Sequence, residues 1–580
     1  MIDFIIYSFL NIKLFIPNIS ELIAFFGLLQ FLTISLIIGI KINPKSNFLS
    51  VSFFTGYGFI YFVTVFFYVF FSIEVNKIYY LIIIGCLFIL IKNKELYLLK
   101  LNYIISIIFK NKIILLALLP LILILFNSKA LGWDVFSHWL PLANALNLSS
   151  EFLLRGHATN YPFASSIVLV FSSIYNSNIQ ENISALFSIL QLIFILEIIF
   201  FVIKKKYLIK NDLFIKTILV LIIFFNPLHM NKFVFTSYVD FDSSVAIFYF
   251  VFLLYLFKLK PRQKETLLQL SFLGCLVVGL KNTGIILIFF SMLSFVIILS
   301  YENLIINIKK YFIPLLILST LILFCWTTWQ YLLFSNNMSE KFIVYDYLRK
   351  DLIGPFFNSV IFQINERKLF YFFSFFVIFL NFFKNRIFNS DKQINFFISI
   401  YSMFFVFWTS FVIFTYIFHF NSGILDNATS FWRYNFQTSI ILLFIFCYMF
   451  FFFLERIKFL NFGKVTNLII LLIIFLPIVF MYKFRRDLEP KYLTINEFQN
   501  FKNKINSALV ISEDSAYNAI RLNYYLNNDY RKSIVDSIEI SNLDKINNSL
   551  YLKNKNNYDL VILLDQSDLL NFKKKTYYKK

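Results

Sequence analysis

The stretch KIILLALLPLILILFNSKALGWDVFSHWLP, residues 112–141, holds the two features that decide how the chain folds. Its first half is an apolar run of about the length that a membrane-spanning helix needs. Its second half places two indoles, an acid and an imidazole close together, at Trp133, Asp134, His138 and Trp139. Such groups directly beyond an apolar helix are difficult to explain by packing alone, so this segment is the first candidate for chemistry.

The composition is that of a membrane protein. Hydrophobic residues make up 59% of the 580 residues, charged residues only 15%, and the mean hydropathy is +0.73. A typical soluble domain carries about 25% charged residues. The net charge of +21 comes mostly from short Lys and Arg clusters between apolar runs. This pattern favours topology signals and contact with anionic lipids over nucleic-acid binding.

Apolar runs along the chain predict an all-α polytopic fold with about fourteen membrane-spanning helices. We expect the spans at residues 20–42, 51–73, 78–92, 112–127, 182–203, 213–228, 243–259, 266–280, 283–301, 311–334, 368–384, 395–420, 436–455 and 466–484. Residues 163–176 are apolar but short, which indicates a re-entrant or interfacial segment. With that choice the basic clusters all fall on one side of the membrane, as the positive-inside rule requires.

Residues 487–580 differ from the rest of the chain because they are polar and rich in Asn and Lys. Short apolar segments at 508–511 and 560–564 are typical of buried strands, and 516–526 has helical spacing. The pattern predicts a small extramembrane α/β domain, which the topology places on the outer face.

The outer loop 128–181 carries the first candidate site residues. Asp134 could act as a general base towards a hydroxyl, or bind a divalent cation such as Mg²⁺ or Mn²⁺. His138 lies four residues further on and would share a helical face with Asp134. The alternative is an interfacial helix that the two Trp side chains anchor. Further along the loop, Pro162 fixes a turn into the next apolar segment, and Tyr161 before it is biased to an extended conformation.

A second acidic segment, Tyr238 to Asp242, directly precedes the predicted span 243–259. Asp240 and Asp242 could bind a cation or position a sugar hydroxyl, although their side chains would diverge on a helix. The alternative for Asp242 is a helix cap, which makes Asp240 the better functional candidate. Asp134 and Asp240 are therefore the candidates both for catalysis and for metal binding.

Basic residues follow on the same predicted side. Lys281 lies in a tight outer turn that ends at Gly284, where a lone Lys runs against the positive-inside bias and suits a phosphate ligand. Arg433, next to Tyr434, offers a bidentate fork that matches phosphate oxygens. Contact with lipid headgroups is the alternative for both cations. The histidines of the chain also fall on the outer side, at positions 138, 157, 229 and 419.

In their order and common sidedness these segments resemble the GT-C superfamily of membrane glycosyltransferases, which includes protein O-mannosyltransferases and the aminoarabinose transferases of lipid A. The resemblance is carried by Gly-Trp-Asp-x-x-x-His-Trp at 132–139, Tyr161-Pro162, Tyr238 to Asp240, Lys281 to Gly284, and Arg433-Tyr434. It implies transfer of a sugar from a polyprenyl-phosphate carrier to a glycan, lipid or protein acceptor, at the outer (periplasmic) face of the cytoplasmic membrane.

The resemblance also implies a division of the chain. The catalytic core would occupy residues 112–486 and the small outer domain 487–580, while residues 1–111 form additional helices without an assigned role. Asp134 would be the base, and Arg433 and Lys281 would hold the lipid phosphate, so the site would have an acid side and a phosphate side.

Two other classes of protein remain open at this stage. An O-antigen polymerase or ligase also uses polyprenyl carriers, but it would concentrate Arg and His in one large late loop, and the loop 335–367 is of modest size. A lipid or polysaccharide flippase would place charges within its spans. Glu197 is the clearest acid inside a predicted span.

Overall fold

The computed structural model describes residues 16–580 except for a set of short segments, at 132–133, 149–160, 177, 208–210, 227–233, 236–238, 262, 337–349, 389–390, 420–427, 429, 458–461, 481–483, 489–494, 496–497, 499–503, 513–514, 527–532, 540–552, 555–556, 566–572 and 579–580. Most of the described chain is helical. The helices are α1 (Ile19–Ile42), α2 (Leu49–Phe71), α3 (Val75–Lys92), α4 (Lys94–Lys110), α5 (Lys112–Leu125), α6 (Leu140–Leu148), α7 (Ala164–Ser172), α8 (Ile183–Lys206), α9 (Asp212–Phe224), α10 (Val239–Leu259), α11 (Lys264–Leu280), α12 (Gly284–Ser335), α13 (Lys350–Glu366), α14 (Lys368–Ile387), α15 (Lys392–Phe418), α16 (Phe431–Asn435), α17 (Ser439–Ile457), α18 (Phe462–Val479) and α19 (Ser515–Leu526).

The chain is an α-helical polytopic membrane protein. Among the described residues, 10 helical segments are long and apolar enough to cross a membrane: α1, α2, α3, α8, α10, two segments of α12, α14, α15 and Phe431–Arg456. The other predicted spans fall on α5, α9, α11 and α18, which are helical but are not among these 10. Helices α4 and α5 meet at a bend of 76° and together add at most one span. The predicted count of fourteen is thus confirmed only in part.

Helix α12 contains two spans that fold back on each other. The rings of Phe295 and Tyr311 have centroids 6.0 Å apart. Sixteen residues of straight α-helix would separate them by roughly 24 Å. The chain therefore reverses direction between these two rings, and the predicted spans 283–301 and 311–334 form a hairpin.

Several basic clusters meet at one end of the bundle, as the sequence predicts. The Lys206 ammonium at the end of α8 lies 3.0 Å from the Asp391 carboxylate, just before α15. The Tyr311 hydroxyl donates to the carbonyl of Lys258 at 2.8 Å, which brings the α12 hairpin to the end of α10. The Lys258 ammonium also lies 5.6 Å from the centroid of the Phe396 ring in α15. The ends of α8, α10 and the hairpin therefore lie together near the start of α15.

The short apolar segment 163–176 forms α7, which is too short to cross a bilayer. Its nine residues rise about 13 Å, less than half of the hydrocarbon thickness of about 30 Å. Nearly all of its side chains are buried against the surrounding helices. This agrees with the predicted re-entrant or interfacial segment.

The first helices pack closely through glycines. A Cβ atom on Gly56 of α2 would lie 1.8 Å from the carbonyl oxygen of Ser35 in α1, and one on Gly39 would lie equally close to that of Ser52. A Cβ on Gly58 would lie 2.0 Å from the carbonyl oxygen of Phe272 in α11. Small residues allow such close backbone approach between membrane helices. Helices α1 and α2 are therefore an integral part of the bundle.

The C-terminal residues form the predicted small α/β domain. Its four strands are β1 (Ala508–Ser512), β2 (Val535–Glu539), β3 (Leu560–Asp565) and β4 (Lys573–Tyr578), in the order β2-β1-β3-β4. Strand β1 is parallel to β2 and β3, and β4 is antiparallel to β3. The predicted central strands and the helix α19 are confirmed. The edge strands were not predicted because their sequences, VDSIE and KKKTYY, are largely polar.

Substituting Gly56 with Ala should destabilise the protein by about 1–3 kcal/mol or more, because the added methyl group would collide with backbone that cannot move aside as a side chain would. Thermal unfolding of the purified protein in detergent measures the effect. Gly85→Ala is the matched control, since a Cβ at Gly85 of α3 would meet nothing within 4 Å. Equal melting temperatures for the two variants would contradict the close packing of α1 and α2.

Candidate functional site

Four charged residues from distant parts of the chain meet at one end of the bundle. Asp134 directly precedes a π-helical turn, Val135–Trp139, and Asp240 lies in the first turn of α10. Lys281 lies in the turn between α11 and α12, and Arg433 lies in the short helix α16. These are the residues that the sequence puts forward as the acid side and the phosphate side.

The four side chains form one network of ion pairs, in which Arg433 is the centre. Its Nη2 contacts Oδ2 of Asp134, and its Nε lies 2.9 Å from Oδ2 of Asp240. The Lys281 ammonium contacts Oδ1 of Asp240, and the Gln437 amide donates to the same oxygen at 3.3 Å. The acid and phosphate sides are therefore not separate, because each cation contacts a carboxylate.

Burial differs across the network. The side chains of Asp240 and Lys281 are 2% and 7% exposed, whereas those of Arg433 and Asp134 are 16% and 19% exposed. Burial lowers the pKa of Lys281, and the neighbouring Asp240 carboxylate opposes this effect. Asp240 and Lys281 thus form the inner end of the network, and Asp134 lies at its accessible end.

Local structure holds both basic residues in place. A Cβ on Gly284 would lie 2.2 Å from the carbonyl oxygen of Val277, so the tight turn that presents Lys281 requires glycine there. Ala428 and Ser430, just before α16, have positive φ angles of 42° and 66°. Non-glycine residues in this left-handed region cost about 1–3 kcal/mol each and cluster at functional sites. The backbone that leads into α16, and thus to Arg433, is therefore strained.

Helix α15 fixes the position of α16. The Trp408 indole donates to the carbonyl of Tyr434 at 2.9 Å, and the Thr409 hydroxyl donates to the Asn435 side chain at 2.9 Å. The Tyr434 ring in turn has the Lys281 ammonium 5.1 Å from its centroid, within the range of a cation–π contact. Arg433 and Lys281 are thus connected through one aromatic residue as well as through Asp240.

The network opens into a cavity of about 300 Å³ between the helix ends. Its polar and aromatic lining consists of Asp134, Trp139, Tyr161, Asp240, Lys281, Asn282, Thr283, Trp326, Gln330, Trp408, Thr415, Tyr416, His419, Arg433 and Tyr434, and its aliphatic and phenyl lining of Ile286, Leu333, Phe411 and Val412. The volume is at the lower end of the range of small-molecule sites. Charged groups line one part of the wall, and apolar side chains line another.

Two of the predicted site residues that the structure describes, His138 and Asp242, are not in the lining of this cavity. His138 packs on Tyr161 with ring centroids 4.8 Å apart, and Tyr161 is the one that lines the cavity. A π-helical turn closes i→i+5 hydrogen bonds, so residues four apart do not align as they would on an α-helix. Tyr238 lies outside the described residues, as do Trp133, His157 and His229.

Asp242 is the second described site residue that does not line the cavity. It diverges from Asp240 because the two lie on one helix, as expected from their spacing. Its carboxylate accepts a hydrogen bond from Gln191 at 2.9 Å and faces a separate space of about 20 Å³ lined partly by Ser184 and Ser188. Asp242 is therefore part of the packing between α8 and α10.

Sequence reasoning missed the cavity residues that α12 and α15 contribute. Trp326, Gln330 and Leu333 recur at helical spacing on α12, and Trp408 and Thr415 do so on α15, which His419 directly follows. The polar members, Gln330 and Thr415, stand in long apolar runs, and this contrast is the sequence signal that could have identified them. The sequence placed His419 only on the outer side of the membrane, together with the other histidines.

Within the described part of the chain, no group of three or more His, Cys, Asp or Glu side chains is placed to hold a metal ion. Asp134 and Asp240, the predicted cation ligands, both contact Arg433 instead. Each of the two carboxylates is therefore paired with a cation of the protein itself.

Comparisons with known proteins identify no relative: no family model, curated protein or solved structure matches this chain. The interpretation of the site therefore rests on its own geometry and chemistry.

Replacing Asp240 with Asn should destabilise the protein by about 3–5 kcal/mol, because it would leave two cations at the inner end of the network without their shared counter-charge. Adding Lys281→Met should recover part of this loss, and a double-mutant cycle of thermal unfolding measures the coupling. Asp242→Asn is the matched control, since Gln191 can donate to an amide oxygen as well. If Asp242→Asn destabilises as strongly as Asp240→Asn, the ion network is not the cause.

Proposed function

We propose that the protein is an integral-membrane glycosyltransferase of the GT-C type. It would transfer a sugar from a polyprenyl-phosphate carrier to a glycan, lipid or protein acceptor at the outer face of the cytoplasmic membrane. In this proposal α5, α9, α11 and α18 also cross the membrane, which gives fourteen spans, and the α/β domain lies outside. One observation carries the proposal: Asp134, Asp240, Lys281 and Arg433 converge on a single cavity.

Asp134 is the residue best placed to act as general base. It lines the cavity, is the more accessible of the two acids, and lies at the outer end of the ion network. The acceptor hydroxyl would give its proton to this carboxylate, while the hydroxyl oxygen forms a bond to the anomeric carbon of the sugar. The bond from that carbon to the carrier phosphate breaks, and its electron pair stays on the phosphate oxygen. Attack opposite the leaving group inverts the anomeric configuration.

Arg433 and Lys281 are suited to stabilise the departing phosphate. Negative charge grows on the phosphate oxygens in the transition state, and fixed donors in a partly dry site stabilise such charge strongly. A guanidinium matches two phosphate oxygens at once, and Lys281 adds a second point charge. The apolar wall formed by Ile286, Leu333 and Phe411 is suited to the first isoprene units of the carrier.

The environment of Glu197 removes one observation in favour of a transporter. Its carboxylate accepts the backbone N–H groups of Leu49 at 2.9 Å and Ser50 at 2.8 Å, which are the first residues of α2. An acid at a helix N-terminus satisfies donors that have no partner within the helix and interacts favourably with its dipole. The clearest acid inside a span therefore has a structural role.

Asp134→Asn should reduce sugar transfer by about 10²–10⁴-fold, the usual contribution of a general base. The protein should still insert and fold, because Arg433 keeps its contact with Asp240. Mass spectrometry of surface glycans and polyprenyl-linked sugars in cells measures the effect: loss of transfer leaves unmodified acceptor and accumulated carrier-linked sugar.

The control for this variant is Asp536→Asn, which changes an exposed acid in strand β2 that contacts Tyr558. It should leave transfer at the wild-type level. Near-wild-type transfer by Asp134→Asn would refute the assignment of the base, and unchanged glycans after deletion of the whole protein would refute the glycosyltransferase proposal itself.

A further inference from the structure

The residue two positions after Asp134 is enclosed by the C-terminal domain. Phe136 is buried, and its ring centroid lies 5.5 Å from that of Tyr524, 5.9 Å from Tyr525 and 6.4 Å from Tyr517. The Arg521 guanidinium carbon lies 5.1 Å from the same ring centroid. All four neighbours belong to α19, so one helix of the extramembrane domain surrounds a side chain of the turn that follows the proposed base.

Arg521 is fully buried, which is unusual for a cation in a small domain. Its guanidinium also lies 5.8 Å from the Tyr525 ring centroid. The Tyr525 hydroxyl donates to one oxygen of Glu181 at 2.9 Å, and the other oxygen of Glu181 accepts the N–H of Ala130 at 2.9 Å. A continuous series of contacts thus joins Arg521 to the backbone four residues before Asp134.

The same helix also holds the chain on the other side of Asp134. The Asn144 amide in α6 donates to the Tyr524 hydroxyl at 2.8 Å, and both side chains are buried. Contacts from α19 therefore reach the loop before Asp134, the turn directly after it and the helix that follows.

A second set of contacts restrains the start of the loop. The Arg485 guanidinium donates to the carbonyl of Ile124 at 2.8 Å and forms a two-pronged ion pair with Asp487, at 2.9 and 3.0 Å. The Asp487 carboxylate also accepts a hydrogen bond from the backbone N–H of Lys129 at 3.1 Å. Both Arg485 and Asp487 lie in the segment between α18 and β1.

We propose that the C-terminal domain positions Asp134 against Arg433, and that Arg521 is the main positioning residue because it acts through Phe136. The described residues provide no side-chain cap at the N-terminus of the π-helical turn, and the side chain of its second residue, Phe136, is enclosed by α19. Arg521 does not line the cavity and would not touch a substrate. A displacement of about 1 Å at a catalytic group can lower a rate by about 10²-fold, so such positioning has a measurable consequence.

Arg521→Met tests this role, since it keeps much of the side-chain volume and removes the planar cation. Hydrogen–deuterium exchange of the purified full-length protein should increase about tenfold in the peptide 134–148 and stay unchanged in α10. Transfer should fall about 10²-fold while the melting temperature changes little. Arg521→Lys should restore the protection only in part, because an ammonium lacks the flat face that lies over the ring.

Arg456→Met is the matched control. Its guanidinium carbon lies 4.3 Å from the Phe452 ring centroid, but Arg456 is exposed and belongs to α17, outside the C-terminal domain. It should leave exchange in 134–148 and transfer unchanged. Phe136→Leu provides a second route if Arg521→Met does not fold, and the double variant should be no worse than the more severe single variant.

Unchanged exchange in 134–148 would overturn the inference, as would faster exchange throughout the bundle, which indicates general destabilisation. Local loosening with wild-type transfer would also overturn it. The transfer measurement depends on the proposed function, whereas the exchange measurement does not. If deletion of the protein leaves glycans unchanged, the proposed function fails, and exchange alone then decides whether Arg521 positions Asp134.

Discussion

Buried charges need partners, and this constraint organises the end of the bundle at which the candidate site lies. In a medium of low dielectric an unpaired ion costs several kcal/mol, so every charged group there must meet an opposite charge or lose its own. Arg433 satisfies two carboxylates at once, Asp134 from the loop after α5 and Asp240 from α10. Lys281 then fixes the turn between α11 and α12 to the same acid. One guanidinium therefore connects loop, helix and turn into a single site.

The members of this site could be predicted from the sequence, but their pairing could not. Charged residues stand out in a chain of so few, and topology placed Asp134, Asp240, Lys281 and Arg433 on one side. Topology does not give distances, so the sequence suggested separate acid and phosphate sides where the structure has interleaved ion pairs. His138 packs on Tyr161 and is not in the lining of the cavity, because the segment forms a π-helical turn and not an α-helix.

The fold was predictable to a similar degree. Apolar periodicity located the helices, but the span count depended on helices such as α9 and α11 that lie near the minimum length. The sequence also left α1 to α3 without a role. In the structure α2 packs behind the Lys281 turn, since a Cβ on Gly279 would lie 2.2 Å from the Tyr61 ring. Close packing of this kind follows from backbone geometry, which glycine positions alone do not reveal.

The balance of charges in the network bears on how the proposed reaction would begin. Two carboxylates and two cations leave no net charge, so an incoming phosphate must compete with an acid for Arg433. Asp240 is the more buried acid and pairs with both cations. Asp134 is more exposed and, among the residues that the structure describes, forms an ion pair with Arg433 alone. Asp134 is therefore the easier of the two to displace. Binding of the donor phosphate to Arg433 would thus release the Asp134 carboxylate from its ion pair. Its oxygens would then be open to the hydroxyl of the acceptor.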